Sequence, residues 1–453
     1  MELSEKLTGM VNGSDGPVIF ICDGFHFLFL ANRPMEWFST ESTTLITDKN
    51  GYLHGITHQN RSIYIHAGRN IKFGSKLYLH TSHYYLCDSG LSEYSFEDFR
   101  GLRFVDGSLH KVFLPRATSV ERTDDGLKVN VGNDLNENKV KVCDRSSTIR
   151  IKSDIIEHHS IESGSRITND TVKLDLIFDE NAPISIIQSA YKSIVALCRL
   201  MTGRINVGFD KISILIDVDD NDGYPYPAIE CFFEANTDSP TNRSSHDCIQ
   251  FAELSNREIA GIMETISSKG NRLSCVWMDF LIADNSIPFK MTDTKIKEII
   301  SSFESAMRLV EIKVVIDKEI DDFKKNIKQV VKDQKRNLER KMEESIYDNF
   351  LNYIGKWNTT NTADQIISAY TRYKDVLINL SIPNEYRLSK EAVSELIKHR
   401  NDVTHGRMNE ISKQKLFTAL QVMAITYCCI LEAAHFSQET MNKIIQRGIL
   451  KPN

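Results

Sequence analysis

The feature that most constrains this chain is a change of hydrophobic period near Thr292. Before it, short segments alternate apolar and polar residues. After it, apolar residues recur at three- and four-residue steps, with few turn signals. A chain that changes period once, and stays changed, does not fold as a single sheet or a single bundle. The expected class is therefore α+β and multidomain: a β-rich, sandwich-like N-terminal domain over residues 1–290, followed by an all-helical domain over 291–453.

The alternating part contains VIFICDGFHFLFL (Val18 to Leu30), SIYIH (Ser62 to His66), KLYL (Lys76 to Leu79), LKVNV (Leu127 to Val131) and TVKLDLIF (Thr171 to Phe178). Gly, Asn and Asp clusters separate them, as at Asp48 to Gly51 and Gly132 to Asn138. Many short strands with such punctuation predict a sandwich or barrel-like arrangement. One helix interrupts it, near 184–202, with Ile187, Ala190, Ile194, Leu197 and Met201 on one face and Gly203 as its stop.

In the second part, Lys295 to Val310 reads as a helix. Glu311 to Tyr353 contains no Gly or Pro, and Ile320, Phe323, Ile327 and Val330 keep an a/d spacing for two heptads. Ala363 to Leu380 is a further expected helix, broken by Pro383. Ser389 is placed to cap the next, with Glu391 in its first turn and Gly406 at its end; Ser412 starts a long apolar helix to about His435.

Formal charge is −6, so bulk attraction to nucleic acid is absent and any RNA contact needs a local basic patch. The 9 cysteines include no C-x-x-C pair, which is the usage of a reducing compartment. The N-terminus lacks the basic start and apolar run of a signal peptide. Ala419 to Ala434 is shorter than a membrane span and is interrupted by Gln421 and Glu432. The expectation is a cytoplasmic protein without membrane attachment.

The segment ELIKHRNDVTHGR (Glu395 to Arg407) holds residues suited to metal-independent RNA cleavage. That reaction needs a base for the 2′-hydroxyl, an acid for the leaving 5′-oxygen, and a cation for the phosphorane. Histidine suits both proton transfers near neutral pH, and the arginine fork fits phosphate oxygens. The candidates are Arg400 and His405, with Asn401 and Asp402 in support and no metal or cofactor. A spacing of five turns two side chains about 140° apart on a regular helix. Convergence therefore requires the helix to end near His405, or a second copy to complete the site. The spacing alone is weak: with 23 Arg and 13 His, one Arg-x4-His is expected about 0.7 times by chance. Arg61 to His66 is such a second match, in a β-like segment. His399 points another way on the helix and is set aside as a partner.

The segment SKEAVSELIKHRNDVTHGR, followed by the apolar run LFTALQVMAITYCCILEAA, resembles the core of HEPN domains. The upstream helix IISSFESAMRL, with Glu304 inside it, resembles the opening helix of such domains. The similarity is greatest to HEPN-domain ribonucleases of the ApeA-like anti-phage type, over about Thr292 to Arg447, and before that it is mainly architectural. It implies that Arg400 binds phosphate, Asn401 is the polar second position and His405 transfers protons, with two copies of the motif lining one cleft of a homodimer. It also implies a structured RNA substrate such as tRNA, a role in abortive-infection defence, and a β-rich region that senses a phage protein. The long charged stretch 311–353 departs from a minimal four-helix HEPN module. The alternative is a non-catalytic HEPN module that binds RNA or a nucleotide, or only dimerises, attached to the same sensor.

Phe323 to Lys341 holds 8 Lys or Arg against 2 acids. Lys324, Lys325, Lys328, Lys332, Lys335 and Arg336, with Arg407 beside the pair, are the candidate RNA-backbone contacts. The other reading is a solvated helix face balanced by neighbouring acids. Asp217 to Glu230 imitates a calcium loop, but its glycine is displaced, so a polar turn is expected there. His54 with His58, and His80 with His83, are read as structural rather than zinc-binding.

Overall fold

The structure, a computed structural model, describes residues 6–451 apart from 32–41, 89–98, 114–116, 124–125, 132–135, 161–163, 218–223, 238, 268–277, 284–290, 313–317, 337–340, 356–360 and 407–409. The chain is α+β and divides into two compact units, Met1–Asn271 and Arg272–Asn453.

The first unit opens with β1 (Leu7–Gly13), β2 (Gly16–Asp23), β3 (His26–Leu30), β4 (Thr43–Leu45), β5 (Tyr52–Thr57), β6 (Ser62–His66), β7 (Ile71–Phe73), β8 (Lys76–His80) and β9 (His83–Cys87). It continues with β10 (Phe99–Val105), helix α1 (Leu109–Val112), β11 (Ala117–Thr123), β12 (Gly126–Val131), β13 (Asn136–Val142), β14 (Arg145–Ser160) and β15 (Gly164–Phe178). Helix α2 (Ile187–Thr202), β16 (Lys211–Ile216), β17 (Tyr226–Phe233) and α3 (Asn256–Ser267) complete it. The run expected as one strand from Val18 to Leu30 is a hairpin, β2 to β3, turned at Gly24 with φ +61°.

Fifteen strands form one antiparallel sheet, ordered β13-β14-β15-β10-β16-β17-β9-β6-β5-β1-β2-β3-β8, with β4 and β7 attached beside β1. Its N-terminal part is strongly coiled. Strands β3 and β9 are five steps apart along the hydrogen-bonded path, about 24 Å on a flat sheet. Yet Phe27 of β3 and Tyr84 of β9 meet edge to face with ring centroids 5.6 Å apart. The strands therefore wrap around one core of Val18, Phe20, Phe27, Phe29, Ile63 and Ile65, which is how a single sheet yields a sandwich-like section. In the other part, β16 buries five successive residues, as expected of a strand covered on both faces. Helix α2 packs on β10 and α3 on β13. Gly203, with φ +66°, ends α2 as expected.

The second unit contains α4 (Asp293–Ala306), α5 (Lys318–Arg336), α6 (Lys341–Gly355), α7 (Thr362–Arg372), α8 (Lys374–Leu377), α9 (Lys390–Thr404), α10 (Lys413–Ala433) and α11 (Gln438–Gln446). Side-chain caps start most of them. Thr292, Asn361, Ser389, Ser412 and Ser437 each accept a hydrogen bond from a backbone N–H of the first turn. The stretch 311–353 is not one long helix: α5 and α6 pack on each other. The expected helix from Ala363 to Leu380 breaks at Tyr373 into α7 and α8, and α11 was not anticipated.

Helix α10 lies at the centre of the unit, packed against α4, α7 and α9. Gln421 and Glu432, which interrupt its apolar run, both have partners. Gln421 accepts from Leu388 N–H (3.1 Å) and donates to the Tyr386 carbonyl (2.9 Å). Glu432 accepts from Tyr373 Oη (2.7 Å) and pairs with Arg372. Among the described residues, two segments are long and apolar enough to cross a membrane by length and composition, Ile184–Thr202 and Lys413–Ala433, and both are mostly buried within their units.

Candidate functional site at the end of helix α9

Helix α9 begins at Ser389, whose Oγ accepts from Ala392 N–H at 3.2 Å. Glu391 in its first turn is held below the usual carboxylate range by its hydrogen bonds to the backbone and to Ser389. Ala392, Val393, Leu396 and His399 form the buried face. Arg400 follows at its edge, where its side chain retains 24% of its accessible surface.

The Arg400 guanidinium donates from Nη2 to Glu304 Oε1 on α4 at 2.5 Å. The same oxygen accepts from Thr362 Oγ1, the first residue of α7, at 2.9 Å. One carboxylate thus ties three helices together and fixes the direction of the arginine fork. Arg400 Nε is buried and has no hydrogen-bond partner. The guanidinium therefore keeps donor capacity that Glu304 does not use.

The chain leaves the helix at His405. Its φ and ψ are −94° and 14°, and its amide donates to the carbonyls of Asn401 (3.2 Å) and Asp402 (3.0 Å). Gly406 follows with φ +76°, a left-handed conformation that glycine adopts without a Cβ penalty. The side chains of Asn401 and His405 are exposed, and that of Asp402 is half-buried. The expected helix end at His405 is therefore present. Arg400 is directed to Glu304 rather than to His405: the pair shares a helix but not a hydrogen bond.

His399, set aside on direction, is fully buried in a network of its own. An ammonium can only donate, so Lys415 Nζ donates to His399 Nδ1 (3.3 Å), and Nε2 then donates to Asp293 Oδ1 (2.8 Å). This joins the first turns of α4 and α10 to the residue beside Arg400.

The six basic candidates on α5 are dispersed. Lys324 is buried; Lys335 pairs with Asp348 (2.6 Å), Lys325 with Asp322 (3.3 Å) and Arg336 with Asp333 (3.6 Å). Lys332 is exposed and Lys328 half-buried. Arg407 lies outside the described residues. Elsewhere, Arg61 of the second Arg-x4-His match pairs with Asp88 (3.1 Å) and Glu230 (2.9 Å), while His66 stacks on His83. Residues 218–223 of the calcium-like segment lie outside the described residues; its ends, Asp217 and Glu230, pair with Arg100 and Arg61. His54 bonds Asp48 and His58 contacts Thr8; His80 pairs with Glu234 and His83 with Tyr52. Among the described residues no group of three or more His, Cys, Asp or Glu is placed to hold a metal ion.

Sequence reasoning did not assign Glu304 or Thr362 to the site. No local spacing connects them to Arg400, because they reach it through helix packing. No family model, curated protein or solved structure matches the chain.

Proposed function

We propose that the helical unit is a metal-independent endoribonuclease of the HEPN type, with Arg400 as the phosphate-binding cation and His405 as the proton-transfer residue. One observation carries the reading: α9 presents a cross-braced arginine with an unused buried donor, and one turn later it ends in an exposed histidine. In this reaction the 2′-oxygen attacks the adjacent phosphorus while a base takes its proton. The bond to the 5′-oxygen breaks and an acid protonates the leaving oxygen, so the ends are a 2′,3′-cyclic phosphate and a 5′-hydroxyl. One motif histidine per chain supplies one of the two proton-transfer groups, so a second copy supplies the other. The resemblance to ApeA-like proteins adds a structured RNA such as tRNA as substrate. It also adds a role in anti-phage abortive infection, with the β-rich unit sensing a phage protein.

A second reading is favoured by the Arg400–Glu304 pair itself, since a neutralised arginine suits a binding or scaffolding module. Expressing the wild type and His405→Ala, with and without phage, and mapping RNA ends decides between them. New 5′-hydroxyl ends that require His405 support the ribonuclease. RNA retained but never cut supports the binding module.

A further inference from the structure

The α5–α6 hairpin carries two parallel seams on each helix, and only one is covered. On α5 the inner seam is Lys324, Lys328, Val331 and Lys335, at steps of four, three and four, all buried or half-buried. On α6 it is Tyr347, Leu351 and Ile354. One position earlier on each helix runs an apolar line that is mostly exposed, with Ile327 half-buried. Phe323 and Val330 of α5 are 59% and 61% exposed, and Ile346, Phe350 and Tyr353 of α6 are 66%, 46% and 62% exposed. Of the heptad expected from the sequence, Ile320, Phe323, Ile327 and Val330, Phe323 and Val330 are exposed and Ile327 is half-buried, while the buried positions of α5, Lys324 and Val331, lie one residue further on. A helix with two adjacent heptad seams is built for two neighbours, and among the described residues the neighbour on which each packs closely is the other helix of the hairpin.

We propose that the outer seams pair with those of a second copy of this chain, forming an intermolecular four-helix bundle. Two features of the hairpin select a second copy over an unrelated partner. The first is charge. Helix α5 has seven basic and four acidic residues, whereas α6 has one basic and three acidic. A two-fold axis lays α5 of one copy on α6 of the other and repeats the complementarity that Lys335 and Asp348 already use within the hairpin. The second is area. Five half-exposed or exposed large side chains offer apolar surface on the order of 500 Å² per copy, at the upper end of what a monomer leaves open. Doubled, that is about 1,000 Å², the lower edge of a specific interface before the charged rim is added. The ribonuclease reading also calls for a second copy, so the seam variants separate the two: a dimer indifferent to them removes this surface and leaves that reading standing.

The experiment is sedimentation equilibrium of the full chain at about 1–50 µM, comparing wild type with Phe323→Glu/Val330→Glu and, as a milder pair, Phe323→Gln/Val330→Gln. The expected result is a wild-type dimer, at least a tenfold weaker dimer for the Gln pair, and a monomer for the Glu pair, with helical circular dichroism unchanged. Hydrogen exchange on the wild type provides a check free of mutation: amides in 318–355 exchange more slowly at the higher concentration. A monomeric wild type, a dimer indifferent to both variants, or concentration-independent exchange in the hairpin overturns the proposal. So does a wild type that pairs only with a foreign helix.

Discussion

Arg400 and Glu304 stand 96 positions apart in the chain and 2.5 Å apart in the fold. Their pairing sets the arginine at the edge of α9 and fills one side of its fork while Nε remains unmatched. A phosphate arriving at Arg400 therefore competes with a resident carboxylate as well as with water.

Removing that competitor is expected to strengthen RNA binding. In a His405→Ala background, which blocks turnover, Glu304→Gln should tighten binding of a structured RNA about fivefold. That corresponds to the ~1 kcal/mol typical of a partly exposed ion pair. Filter binding measures it, and unchanged or weaker binding would show that Glu304 orients the arginine rather than restrains it.

Chemistry should depend on both members of the proposed pair. His405→Ala and Arg400→Ala are each expected to lower cleavage by about 10²-fold or more. Sequencing of 5′-hydroxyl ends is the readout. Activity that survives both changes, or that a chelator abolishes, contradicts the assignment.

The buried His399 braces the site without being exposed to substrate. Its ring receives from Lys415 and donates to Asp293, so His399→Leu takes one partner from the carboxylate and one from the ammonium, which keeps its bond to the Glu410 carbonyl. The expected cost is about 2–3 kcal/mol in urea unfolding of the helical unit. A change below about 0.5 kcal/mol would show that the network holds nothing in place.

The β-rich unit should weaken in mild acid through His83. Burial, and secondarily the neighbouring His66 ring, push the His83 imidazole from 6.5 down to about 3, while its ring meets Tyr52 Oη at 3.0 Å. Between those values the unfolded chain binds a proton that the folded unit does not. The stabilisation is therefore complete above pH 6.5 and is lost as pH falls towards about 3, at up to about 1.4 kcal/mol per pH unit. Urea midpoints at about pH 7 and about pH 5 should differ accordingly. His83→Gln should flatten that difference; an unchanged slope places the proton elsewhere.

Much of this protein is written locally. The change of period at Thr292, the caps at Ser389 and Ser412, the stops at Gly203 and Gly406, and the end of α9 at His405 all follow from short-range chemistry. Each depends on residues within one helical turn, and each is found where the sequence places it. What the tertiary structure decided is everything joined across distance. Phe27 meets Tyr84 because the sheet coils on itself, and Arg400 meets Glu304 and Thr362 because α4, α7 and α9 pack together. The seam that α5 buries starts at Lys324, one position beyond the one its apolar residues advertise. Periodicity shows that a face is apolar, but which face is covered depends on the neighbour that arrives, and no residue within a single turn encodes that neighbour.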